Sequence, residues 1–133
     1  MSIDTNMFGT IDIAMSGLKA YNKQMQAISS NIANVRTTDA GNGEPYRRIE
    51  AMFKADGSGG VEISDLIEDK SAFQSILDPG HPNADADGFV MMPNVNMATE
   101  MINLNIASRT YQANAAIMKR YQKMVETSLG LLK

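Results

Sequence analysis

Three short segments of this 133-residue chain carry residue types able to do chemistry. Asn83-Ala84-Asp85-Ala86-Asp87-Gly88 places side-chain oxygens at its first, third and fifth positions and glycine at its sixth. That is the opening half of a calcium-binding helix–loop–helix loop. The closing half fails: its twelfth position is Asn94, where a bidentate glutamate is needed, and Pro79, Pro82 and Pro93 oppose the flanking helices. A polar turn whose Asp and Asn side chains bond nearby backbone amides accounts better for the segment. His81 lies in the turn Gly80-His81-Pro82 and is the only histidine. With no cysteine beside it, neither a zinc site nor a Ser-His triad has enough members. Gly57-Ser58-Gly59-Gly60 lacks the following Lys-Ser/Thr of a phosphate loop and reads as a flexible connection. No catalytic, cofactor-binding or metal-ligating set emerges, so the chain is expected not to be an enzyme. A calcium-binding module remains as a minor alternative.

Composition narrows the class further. An apolar fraction of 44% belongs to a folded chain, and the length suits one domain. The net charge of −3 is unevenly spread. Two carboxylates balance two lysines in residues 1–35. Eleven carboxylates outnumber five cations in 36–93, and five cations (Arg109, Lys119, Arg120, Lys123, Lys133) outnumber two carboxylates in 94–133. An acidic chain of this kind is a poor match for nucleic acid. The N-terminus has no cation before Lys19 and no uninterrupted apolar run, so no cleaved secretory signal is expected. No segment approaches the ~20 apolar residues that span a bilayer.

The elements that must position these segments are two helices and an insert. Near the N-terminus, Phe8, Ile11, Met15, Leu18, Asn22, Met25, Ser29 and Ile32 alternate steps of three and four. Met97, Met101, Leu104, Ser108, Tyr111, Ala115, Met118, Gln122, Val125, Leu129 and Leu132 do the same near the C-terminus. This 3.5-residue period predicts helices, over about 8–35 and from Asn96 to about Leu129, that wind around a partner. Pro93 blocks helix before the second, Asn96 is a good N-cap, and Glu100 falls in the first turn, where the helix dipole favours an anion. Between them, Ile49, Ala51 and Phe53 alternate with Glu50, Met52 and Lys54, and Val61, Ile63 and Ile67 are set among charged neighbours. The pattern predicts a hairpin across the Gly-rich loop, and Ala72 to Leu77 a third strand. The fold expected is mainly α with a small β insert. Residues 1–38 and 94–133 form one antiparallel helical unit, and 39–93 a β-rich insert.

The helices carry more apolar surface than one seam needs. Ile11, Met15, Leu18, Met25, Met101, Leu104, Met118, Val125 and Leu129 suit the seam. Ile13, Tyr21, Ile28, Ile102, Ile106, Ile117 and Tyr121, with several alanines, lie off it. A self-contained helix pair is polar on such faces, so a subunit interface is expected there. Asn22, Ser29, Ser108 and Gln122 interrupt the seam, where a polar group fixes register or is simply tolerated. Eleven methionines are core filler in most proteins and adaptable contacts in an assembly.

Within these helices two stretches are familiar: Ser29-Ser30-Asn31-Ile32-Ala33-Asn34 and Ser108-Arg109-Thr110-Tyr111-Gln112-Ala113-Asn114. With Pro45-Tyr46-Arg47, the run from Asp78 to Val90 and Met92-Pro93-Asn94-Val95, they make the chain resemble the rod and hook axial proteins of the bacterial flagellum, over nearly its whole length. The resemblance implies a proximal rod subunit, exported unfolded through the flagellar type III apparatus. Its partners would be other copies of itself and other rod proteins, with no small-molecule substrate or cofactor. It also implies that copies stack into a hollow rod in the periplasm that transmits torque and conducts later export substrates. Ser29, Ser30, Asn31, Ile32, Ala33, Asn34, Ser108, Arg109, Tyr111, Gln112, Ala113 and Asn114 would then be the assembly motif. Asn31 and Asn34 would offer amides where helix ends meet neighbours, and Asn34 also fits a helix C-cap. The alternative of another class is a stand-alone coiled-coil adaptor or export chaperone, which predicts a tight helical dimer.

Overall fold

The structure, a computed structural model, describes residues 2–132, with side-chain surroundings from Gly9 onward; the side chain of Phe8, and Lys133, lie outside that range. Helix α1 spans Ser2–Ala33 and α2 spans Met97–Gly130. Each is about 50 Å long at ~1.5 Å per residue. Between them come β1 (Ile49–Ala55), β2 (Val61–Glu68), β3 (Gln74–Leu77) and β4 (Phe89–Met92), in two separate antiparallel pairs, β1–β2 and β3–β4. This is the expected mainly α architecture with a β insert. Helix α1 starts earlier and stops two residues sooner than its periodicity predicts.

Local chemistry explains where the helices stop. The Asn34 amide nitrogen donates to the Ser30 carbonyl at 2.9 Å and its oxygen accepts from the Thr37 hydroxyl at 3.1 Å. Asn34 therefore caps α1 with its side chain and not by a left-handed backbone, since no non-glycine residue among those described has positive φ. At the other helix the Asn96 side chain accepts from the Thr99 amide, the N-cap read from sequence. Gly130 continues α2 as its last residue.

The strands differ from expectation in two ways. Met52 pairs with Asp65 but Phe53 with Ile63, so Ser64 bulges out of the ladder. Paired residues share a face, so Ala51, Phe53, Ile63 and Leu66 point one way, and Met52, Asp65, Glu50 and Ile67 the other. Ile67, expected beside Ile63, faces away. Strand β4 is the second difference. Phe-Val-Met-Met is four residues without alternation, boxed between Gly88 and Pro93, and offers no period to read. It pairs with β3, setting Val90 (1% exposed) against Ile76.

The β1–β2 hairpin lies on α1, and α2 lies along α1; among the described residues neither sheet packs against α2. Two contacts define one antiparallel helix register, Asn31 with Glu100 and Gly17 with Asn114. A Cβ at Gly17 would sit 2.8 Å from the Asn114 amide nitrogen, so glycine is what lets the helices come this close.

The seam is turned from the one the stripes predict. On α1 the buried positions are Ala14, Gly17, Ala20, Ala27, Ile28 and Asn31. On α2 cover centres on Glu100, Leu104, Ala107, Tyr111, Asn114, Met118, Tyr121 and Val125. Met15, Met101 and Leu129, expected in the seam, are exposed, as are Asn22, Ser29 and Gln122. Ile28, expected at a subunit interface, is in the chain's own core, while Tyr21 and Tyr121 are half-covered. Ile11, Leu18, Met25, Leu104, Met118 and Val125 are half-buried. The reason is physical. Small residues admit close backbones, and the polar groups that join them in the seam find partners inside the fold.

Candidate functional site

Where α1 ends, α2 begins and the insert is attached, a polar cluster is buried. Asn31 is wholly inaccessible and Glu100 is 1% exposed. The Asn31 side chain pairs with the backbone of Ile49 as a neighbouring strand would: Nδ2 donates to the Ile49 carbonyl at 2.8 Å, and Oδ1 accepts from its amide at 2.9 Å. The second Nδ2 proton goes to Glu100 Oε2 at 3.1 Å, and Oδ1 also accepts from the Tyr46 hydroxyl at 3.0 Å. Two donors and two acceptors are all that an amide has, and all are used. The Tyr46 proton being committed, the Ser30 hydroxyl donates to Tyr46 across 3.2 Å.

Glu100 needs a cation, because a buried carboxylate without one is costly. Arg48 supplies it, with Nε donating to Oε1 at 2.7 Å. Burial depresses the Arg48 pKa, but the hydrogen bond and charge of Glu100, then Glu50, outweigh it and hold the guanidinium above its usual value. The Arg48 amide donates to Asn94 Oδ1 at 2.8 Å, and Asn94 Nδ2 reaches the carbonyls of Asp69 and Ser71. Arg47 donates to the same two carbonyls and lies 4.2 Å over the Phe73 ring. The Asp69 carboxylate is held below its ordinary 3.8, first by the Ser71 amide and hydroxyl, then by Arg48 and Arg47. Five chain segments thus meet in one hydrogen-bonded clasp.

The loops outside the clasp share one device. Asp39, Asp56 and Asp85 each accept, through Oδ1, from the amides two and four residues on. In the Asp56 loop Gly57 and Gly59 take φ of 83° and 91°, values open to glycine at little cost. Ser58 holds the Asp56 carboxyl below its ordinary value, through its hydroxyl and then its amide. Asp85, the third position of the calcium-like motif, therefore braces its own loop. His81 Nδ1 accepts from the Asn83 amide in the adjoining turn. Among the described residues no three His, Cys, Asp or Glu side chains gather as a metal site.

The other surface of interest is open. Along α2, Met101 (58%), Ile102 (61%), Ile106 (58%), Met124 (54%) and Leu129 (60%) are exposed, and Ile117 is 43% exposed. Only Glu100 and Ala107 of this helix are buried. Met101, Leu104, Asn105, Ser108, Arg109 and Gln112 line a shallow groove of about 440 Å³. Of the residues in the two motif stretches, Asn31, Ser30 and Asn34 are used within the chain, and Asn114 packs on Gly17. Ile32, Ser108 and Tyr111 are half-buried, whereas Ser29, Ala33, Arg109, Gln112 and Ala113 face outward. Ile13 is 43% exposed and touches Gly59. Sequence reasoning gave no role to Arg48 or Asn94 and read Glu100 only as a dipole partner. Their partners in the clasp lie 23 to 69 residues away, and no local pattern announces that.

A long antiparallel helix pair, closed at one end and bare along one helix, is the form of a subunit that completes its packing in an assembly. Comparison with known families says which. Residues 11–40 match the family described as flagella basal body rod protein, and residues 86–131 the family described as flagellar basal body rod FlgEFG protein C-terminal. The flagellar basal-body rod protein FlgC of Salmonella typhimurium is 36% identical over 130 residues, covering 94% of this chain and 97% of its own. FlgC of Agrobacterium fabrum is 39% identical over 127 residues, covering 91% of each. FlgC of Borreliella burgdorferi is 33% identical, covering 96% and 98%. The chain belongs to the FlgC family of flagellar basal-body rod proteins. It is a structural subunit of the flagellar basal-body rod, and it assembles with other rod components. The adaptor, chaperone and calcium-module readings find no support beside that membership.

Proposed function

We propose that this chain is a proximal rod subunit whose copies stack helically, with other rod proteins, into a hollow periplasmic shaft that carries torque and passes later export substrates. It reaches that place unfolded through the flagellar type III apparatus, and it acts without catalysis, nucleic acid or a small-molecule substrate. In this reading residues 1–38 and 94–133 are the axial unit, and 39–93 are a β-rich insert facing outward, its first hairpin resting on α1. The observation that carries the reading is the bare apolar face of α2, which no described residue of the chain covers. The outward residues of the second motif, Arg109, Gln112 and Ala113, lie on that helix and are its assembly contacts. A charge on this face is solvated in the free chain but buried in a rod. Replacing Ile117 with Asp is therefore expected to leave expression and export intact and to stop rod assembly, read by electron microscopy of basal bodies and by swimming. Normal rods containing the variant chain would remove this face from the interface.

A further inference from the structure

The exposed stripe of α2 has a period of its own. Ile102, Ile106, Arg109, Ala113, Ile117, Arg120 and Met124 are all exposed, and residues eleven apart match in kind: Ile106 with Ile117, Arg109 with Arg120, and Ile102, Ala113 and Met124. Eleven residues take about three turns, so this stripe runs almost straight along the helix, where a seven-residue repeat drifts around it. It presents an apolar strip, Ala113 and Ile117, bracketed by two guanidinium groups about 16 Å apart along the axis.

The outward face of the β1–β2 hairpin is its counterpart. Glu50, Met52 and Lys54 stand on β1 opposite Ile67, Asp65 and Glu62 on β2, all exposed and all turned away from the Ala51 face that packs on α1. Met52 and Ile67 form an apolar patch. Glu50 and Glu62 flank it four ladder positions apart, about 13 Å at the usual strand rise. An arginine side chain spans the difference between the two spacings. The candidate on the other helix is of the wrong sign, because Lys19 and Lys23 are exposed on α1. The hairpin cannot meet α2 of its own chain, which neither sheet approaches.

We infer that the α2 stripe of one copy lies along the outward hairpin face of the next copy, Arg109 and Arg120 over Glu50 and Glu62 and the Ala113–Ile117 strip over Met52. This rests on the rod reading and specifies its contact. Two different patches meet, so the contact is head-to-tail and propagates as an open helix of subunits instead of closing as a pair.

The absence of cysteine makes a clean test possible. The double variant Met52→Cys with Ile117→Cys carries two exposed thiols that cannot bridge within one chain, because no β1 backbone comes within disulfide reach of α2. Oxidised basal bodies from this strain are expected to yield dimers and higher multiples of the chain, and each single variant none. A second pair uses charge: Glu62→Arg alone and Arg120→Glu alone are expected to lose swimming, and the two together to regain it. Basal bodies that contain the double-cysteine chain at normal amount but give only monomer, or adducts to a different rod protein, would overturn the contact while leaving the rod reading intact. So would charge reversals that fail to rescue each other. Absence of the unmodified chain from purified basal bodies would instead overturn the rod reading itself.

Discussion

The two halves of the helix pair solve the same problem in opposite ways. At the end where α1 stops, Asn31 and Glu100 are sealed from water, and each finds its polar partners inside the chain. From Ser108 onward α2 has no buried residue, and Ile117, Met124 and Leu129 face outward. The first region has finished folding; the second has apolar surface that no described residue covers. Stability and assembly are therefore separable along one pair of helices, and substitutions in the two regions should fail differently.

The largest stability effect is expected at the closed end. Asn31→Asp keeps the shape but replaces the donor amide by a carboxylate facing Glu100 and the Ile49 carbonyl. Breaking such a buried set costs roughly 3–5 kcal/mol, visible as a fall in the urea midpoint and as faster exchange of the Ile49 amide. If the midpoint holds, the clasp is not what secures the insert.

Midway, Gly17→Ala drives a methyl into Asn114. Overpacking of this kind costs about 1–3 kcal/mol, and shortening Asn114 to Ala should return part of it, a coupling read in a double-mutant cycle. Simple addition of the two effects would mean that the helices part elsewhere.

On the open face the comparison inverts. Ile106→Asp should shift stability by no more than about 0.5 kcal/mol, yet abolish rods in cells. A large stability loss with intact rods would show that this face is internal.

The smallest effect is one of pH. The Asp69 carboxyl has its pKa lowered in the fold, so its stabilising bonds to Ser71 are fully present above the ordinary 3.8 and are lost as pH falls through the depressed value. The Ser71 amide should therefore gain exchange only in strong acid, while α2 from Ser108 onward shows no matching step, as NMR at descending pH would report.

Much of the fold is legible in the residues: both helices, their antiparallel return, the Asn96 cap and the hairpin all follow from period and turn chemistry. What misled was the assumption that a seam is made of large apolar residues. The stripe through Met15 and Met101 is the more hydrophobic one, but the helices meet through Gly17, Ala27 and Ala107, which allow closeness, and through Glu100 and Asn114. A polar residue reads as outward-facing until its partner is known, and Arg48 lies 52 residues from Glu100. The Ser64 bulge and β4 were hidden for the same reason, since pairing across the sheet decides them and local period does not.

The bond from the Arg48 amide to Asn94 joins the point where the chain enters the insert to the point where it leaves. With the neck of that loop already tied, the β3–β4 arm, which packs against neither helix, is free to vary in length. Doubling the length of a flexible loop costs only about 0.6 kcal/mol in closure entropy. That arm can be enlarged, trimmed or exchanged while the two helices, and the hairpin resting on α1, keep the same register.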